Sequence, residues 1–186
     1  MVSLSKLLRL GAVLMPLTLA TNVAQADMPV TYMDGSRALF SLSVPDFWQA
    51  RAGGDRDITQ PGSDETRTIN RVIGMSPSAG DGVWVGFISP HGVATFEQGE
   101  EYLRNLGQSI VTDPEVGAQK RITVGGRAAV QYNGTGRRDG KNVAFTAVLI
   151  DLPRNRMAVS LSVIEAGANP EFQLEINDIY SSFRAR

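Results

Sequence analysis

The chain has 186 residues, with 18 Lys and Arg against 19 Asp and Glu, a single His and no Cys. A net charge of −1 gives no electrostatic reason to expect nucleic acid or an anionic membrane as partner. The missing cysteines exclude thiol nucleophiles, thiolate metal sites, disulfides and a lipidated N-terminus, so the fold must rest on its core alone.

Residues 1–26 hold a short basic region with Lys6 and Arg9, an apolar stretch over 7–19 and the triplet Ala24-Gln25-Ala26. That is the pattern of a secretory signal peptide with its cleavage site. The stretch is interrupted by Pro16 and short for a spanning helix, and no second long apolar segment follows. The expectation is a single domain over 27–186, beginning near Asp27, in a bacterial periplasm or, as second choice, secreted.

Residues 30–33 and 38–44 predict a hairpin around Asp34-Gly35-Ser36, since Asp-Gly is a favoured turn pair. Phe40, Leu42 and Val44 alternate with Ser41 and Ser43, so one face is core. Residues 49–67 show neither period and carry Gly53, Gly54, Pro61 and Gly62, which predicts a long surface loop with one short strand near Ile58. Two strands follow, at 68–75 and 83–88, the second apolar on both faces.

Residues 95–110 predict a helix with Thr95 and Gln98 spaced as a capping box, an apolar stripe of Phe96, Leu103, Leu106 and Ile110, and a Glu100–Arg104 pair on its outer face. Residues 118–165 read as three antiparallel strands turning at Gly125-Gly126, near Arg138-Asp139-Gly140 and at 153–156. The middle strand, 143–150, is apolar on both faces and is expected at the centre of the sheet, covered on both sides. Asn169 as N-cap, Pro170 at the first helical position and Glu171 in the first turn start a last helix, whose Phe172, Ile176, Ile179 and Phe183 share a face, with Leu174 opposite.

Few residues here carry chemistry. His91 lies in a Pro-His-Gly turn with no Gly-x-Ser-x-Gly elbow elsewhere, and a lone loop His is more often a solvated turn residue than a general base. Asp55, Asp57, Asp64 and Glu65 put four carboxylates in one loop, but their spacing does not match a calcium loop, so neither metal nor cofactor is expected. Gly134-Thr135-Gly136 through Gly140 is followed by a strand and not a helix, which excludes a phosphate loop and suggests a flexible hairpin tip. Trp48 and Trp84 are the side chains best suited to define a pocket or interface, although a Trp in such a place is more often core or edge cover. Trp48, Asp55, Asp57, Trp84 and His91 are therefore the candidate binding residues, with no catalytic set.

The order of elements resembles the PsbP-like superfamily, which includes DcrB-like bacterial envelope proteins. The resemblance is carried by Phe40-Ser41-Leu42-Ser43-Val44-Pro45 with Trp48, by Val124-Gly125-Gly126-Arg127-Ala128-Ala129 and by Ile179-Tyr180-Ser181-Ser182-Phe183-Arg184. It implies an α+β fold, an α/β/α sandwich with a mainly antiparallel sheet flanked by two main helices, and binding rather than catalysis. The leading expectation is a non-catalytic periplasmic adaptor that binds another protein. The alternatives are an immunity protein against a periplasmic type VI secretion effector and a carboxylate-dependent hydrolase.

Overall fold

The computed structural model describes residues 27–54, 56–59, 66–69, 71–80 and 82–186. In chain order the elements are β1 (Met28–Asp34), β2 (Arg37–Val44), β3 (Trp48–Ala52), β4 (Arg56–Thr59), β5 (Thr66–Ile69), β6 (Ile73–Pro77), β7 (Val83–Ile88) and α1 (Phe96–Ile110). They continue with β8 (Thr112–Val124), β9 (Arg127–Arg138), β10 (Lys141–Leu152), β11 (Arg156–Glu165), α2 (Glu171–Ser181) and β12 (Arg184–Ala185). Among the described residues the fold is mostly antiparallel sheet with two helices. Seven strands pair in the order β3-β6-β7-β11-β10-β9-β8, three in the order β1-β2-β12, and β4 pairs with β5.

The first hairpin forms as its Asp-Gly turn predicts, with Gly35 at φ 59°. The expected loop over 49–67 holds in part: the short strand expected near Ile58 forms as β4, but residues 48–52 are an edge strand, Trp48 opposite Pro77 and Ala52 opposite Ile73. An edge strand buries little, and here only Trp48 is buried, so its period is faint beside the glycines that follow it. The single strand expected over 68–75 is two, β5 and β6, belonging to different sheets. The turns at Gly125-Gly126, Asp139-Gly140 and 153–156 join four strands rather than three, β8 to β11. β11, rather than the expected 143–150 strand of β10, takes the central place, because it also pairs with β7 across a long separation in sequence.

Strand alternation sends the side chains of the large sheet to two cores. On one side Val85, Phe87, Val148, Ile150 and Ala158 meet Ile176, Ile179 and Phe183 of the α2 region and Phe40, Leu42 and Val44 of β2. On the other, Phe145, Ala147, Leu149, Val159 and Leu161 meet α1 through Phe96, Tyr102, Leu103 and Ile110. β11 thus buries both faces, and β10 does so over 147–150, while Ala144 is exposed and Thr146 half-buried in the first half of the expected apolar run.

α2 begins at Glu171, with Pro170 in helical conformation before it, and Asn169 Oδ1 accepts from Glu171 N at 3.0 Å. Leu174 stands 65% exposed on its outer side. β12 then pairs with β2, Arg184 opposite Ser41 and Ala185 opposite Phe40, and Arg186 N donates to Leu39 O at 2.8 Å. Phe183 is fully buried, its ring 5.1 Å from that of Phe40.

Candidate functional site

α1 is started by the capping box its sequence predicts: Gln98 N donates to Thr95 Oγ1 and Thr95 N donates to Gln98 Oε1, each at 3.2 Å. Its contact with the sheet is uneven. At Gly99 a Cβ would come within 2.9 Å of the Leu149 methyls, so the backbone rests on the sheet there, whereas at Gly107 nothing lies within 4 Å. The helix touches the sheet at Gly99 and again at Ile110 and Val111, and opens a wedge between them beside Gly107.

The wedge so opened is a groove of about 330 Å³. Glu100, Leu103, Arg104, Leu106 and Val111 line its helix side, Pro114 and Val116 its mouth, and Tyr132, Phe145, Ala147 and Leu161 its floor. The floor depends on two glycines of β9. A Cβ on Gly134 would overlap the Phe145 ring and one on Gly136 would overlap Val111, so both side chains lie across bare backbone. The Gly134–Gly136 stretch is therefore strand, and the hairpin tip is confined to Asp139-Gly140.

Polar groups in the wall are few. The Tyr132 hydroxyl donates to Glu100 Oε1, and burial together with this carboxylate pushes the phenol well above its usual range. Glu100 thus turns toward the sheet, not outward as its spacing suggests, and no ion pair joins it to Arg104 among the described residues. Val116 is 59% exposed at the mouth.

Among the described candidate residues, Trp48, Trp84 and His91 do not line this groove. Trp48 is buried on the α2 side, donating from Nε1 to Glu175 Oε2 at 2.7 Å with its ring edge-on to Phe172. Trp84 lies on the opposite face, its indole over Gly74 and Gly86, with the Arg138 guanidinium 5.7 Å above the ring. Asp55 and the side chain of Asp57 fall outside the described residues. His91 sits past the end of β7 with Nε2 3.6 Å from Asp34 Oδ1.

Asp34 is the hub of a polar clamp. Arg156 donates to Asp34 Oδ2 from Nη1 at 2.5 Å and to Ser89 O and Oγ from Nη2 at 3.1 Å. That hydrogen bond holds the Asp34 carboxyl below its ordinary value, against a smaller opposing effect of burial. Ser, His and Asp are thus neighbours, but not a nucleophilic triad: Ser89 is 1% exposed and its hydroxyl is taken by Arg156. The arrangement ties the β1–β2 turn to the end of β7 and the start of β11.

A second depression, of about 340 Å³, lies beside α2 and carries Thr123, Gln131, Thr146, Ser162, Gln173 and Asn177, all uncharged. Its polar groups are largely engaged with one another and with Asn133: Gln131 Nε2 and Thr146 Oγ1 both donate to Asn133 Oδ1, and Ser162 Oγ donates to Thr146 O. Among the described residues no three His, Cys, Asp or Glu side chains gather as a metal site, and no helix is long and apolar enough to cross a membrane.

The signal that could have found the groove was present in the sequence as Gly99 and Gly107 on one helix and Gly134 and Gly136 on one strand. Only their spatial neighbours distinguish close packing from open space.

No family model and no curated protein matches the chain. Solved structures similar to it include the cyanobacterial PsbP of Synechocystis, 12% identical with a TM-score of 0.49, covering 92% of this chain and 100% of that one. The Ran-binding protein Mog1p of Saccharomyces cerevisiae is 11% identical with a TM-score of 0.48, over 87% of this chain and 96% of that one. LpqN of Mycobacterium tuberculosis, involved in cell envelope biogenesis, is 17% identical with a TM-score of 0.41, over 86% and 90%. Similarity of this degree does not carry activity from one chain to another.

Proposed function

We propose that this chain is a non-catalytic binding protein of the bacterial envelope, built on a PsbP-like α/β/α sandwich, that holds a partner protein in the groove beneath α1. The observation that carries the reading is the wedge between Gly99 and Gly107. Protein interiors rarely leave apolar space larger than a water molecule. A helix that touches the sheet at Gly99 and at Ile110 and Val111 but leaves open space beside Gly107 bounds a groove in the size range of binding sites. The leader pattern over 1–26 supports export. A non-catalytic role is supported by the state of the one histidine, which is beside a carboxylate already committed to Arg156, and by the buried, occupied hydroxyl of Ser89.

Photo-crosslinking in the native cells tests this directly. A benzophenone side chain is placed at Val116, at the groove mouth, or at Leu174, exposed on the outer side of α2. The expected result is a discrete protein adduct from position 116 and none from 174. No adduct from 116 under any growth condition, or the same adducts from both positions, overturns the proposal.

A further inference from the structure

The depression beside α2 lies on the other face of the large sheet from the groove beneath α1 and is independent of it. In a chain of which 20% of residues are charged, no charged side chain lines its 340 Å³. Lys120, opposite Gln131 in the register, stands exposed outside it. An ion entering there would give up water without meeting a counter-charge, so the occupant this space favours is neutral.

The walls offer carboxamides and aliphatic carbon. Asn133 Oδ1 accepts from Gln131 Nε2 at 2.9 Å and from Thr146 Oγ1 at 3.0 Å, which pins the Gln131 carboxamide and leaves its Oε1 without a donor among the described residues. Across the depression Gln173 and Asn177 stand one turn apart on α2, held to each other only by a long contact of 3.4 Å from Gln173 Nε2 to Asn177 Oδ1. Gln173 Oε1 and Asn177 Nδ2 are unbonded among the described residues. Two acceptors and a donor therefore face one another, and Ile122, Val148 and Ile176 supply apolar carbon between them. A sugar ring has the same duality, with hydroxyls that donate and accept around its rim and C–H groups on its faces. A peptide backbone, in contrast, is read by addition to a sheet edge, and this is a sheet face under a helix.

We propose that the depression binds a neutral saccharide, its hydroxyls bonded to the carboxamides of Gln131 and Asn177 and its C–H face laid on Val148 and Ile176. Its volume is at the lower end of ligand sites, which span about 300–1,000 Å³, and suits one or two rings rather than a long chain.

NMR titration of the isotope-labelled chain tests this at the side-chain amide signals of Gln131, Gln173 and Asn177. The probes are two neutral disaccharides, maltose and N,N′-diacetylchitobiose, each beside a charged form of the same skeleton, maltose phosphate and deacetylated chitobiose, with N-acetyl-dialanine amide as a neutral peptide. At least one neutral sugar is expected to shift those signals with a Kd of about 1–10 mM, and its charged form to bind at least about fivefold more weakly. Asn177→Asp, exposed on α2, removes the Nδ2 donor and adds a charge at nearly constant size. It is expected to weaken the neutral sugar about fivefold and to strengthen the cationic deacetylated chitobiose. Gln131→Ala, which removes the opposite wall's carboxamide, is expected to weaken the neutral sugar by a similar factor.

No shift at those signals with either neutral sugar at about 50 mM overturns the proposal. Charged forms that bind as well as their neutral parents overturn the match of a neutral site to a neutral ligand. Capped dialanine binding there more tightly than both sugars makes it a peptide site instead, and sugar binding unchanged in both variants removes the depression from recognition.

Discussion

Asp34 shows how much of this molecule turns on single contacts made far along the chain. Its carboxyl sits below the ordinary 3.8 because Arg156 hydrogen-bonds the charged form. A carboxyl depressed in the folded state contributes stability that is present above its unfolded value and is lost as pH falls through the folded one. Asp34→Asn is therefore expected to lower the urea midpoint near neutral pH, with the deficit shrinking once pH drops below 3.8. Urea melts at about pH 7 and about pH 2.5 check it, and an equal deficit at both would remove the charge from the explanation. Nothing in the sequence points from Asp34 to Arg156. The Asp-Gly turn is legible from its own two residues, but the use made of the Asp depends on a partner 122 positions away.

Among the elements, β9 departs furthest from its sequence pattern. Gly134-Thr135-Gly136 reads as a soft loop because glycine is the commonest mark of one. In the sheet those glycines are paired residues, Gly134 opposite Phe145 and Gly136 opposite Val143, and the bare backbone makes space for Phe145 and Val111. Gly134→Ala would place its methyl against the Phe145 ring and 2.5 Å from Glu115 O, and is expected to cost about 1–3 kcal/mol by overpacking. Gly54→Ala, where nothing lies within 4 Å, is expected to stay within about 0.5 kcal/mol. Denaturant unfolding of the pair distinguishes a packing glycine from a loop glycine. By contrast α1 was legible to its cap, since the capping box is written within four consecutive residues. Its groove was not, because the depth of a gap belongs to two elements at once.

In the molecule as a whole, the double-sided apolar pattern of 143–150 announced burial on both faces that holds over 147–150 and fails at exposed Ala144 and half-buried Thr146, while the pairing that makes β11 central was out of reach. β7 and β11 meet only after α1 and three further strands have intervened, and such long-range pairing leaves no local mark. The resulting stability is uneven. Amides of β7, β10 and β11 are expected to exchange slowest with solvent and those of β4 and β5, which pair only with each other, among the fastest; hydrogen exchange read by mass spectrometry tests the order. β12 carries a further consequence, for synthesis. The first hairpin is translated early, yet its outer strand partner, the Phe183 ring beneath it and the Arg186 contacts to Leu39 and to Ser41, the latter 145 residues back, all come from residues 183–186. Until those residues have left the ribosome, the α2-side core lacks the Phe183 ring and the small sheet lacks its third strand.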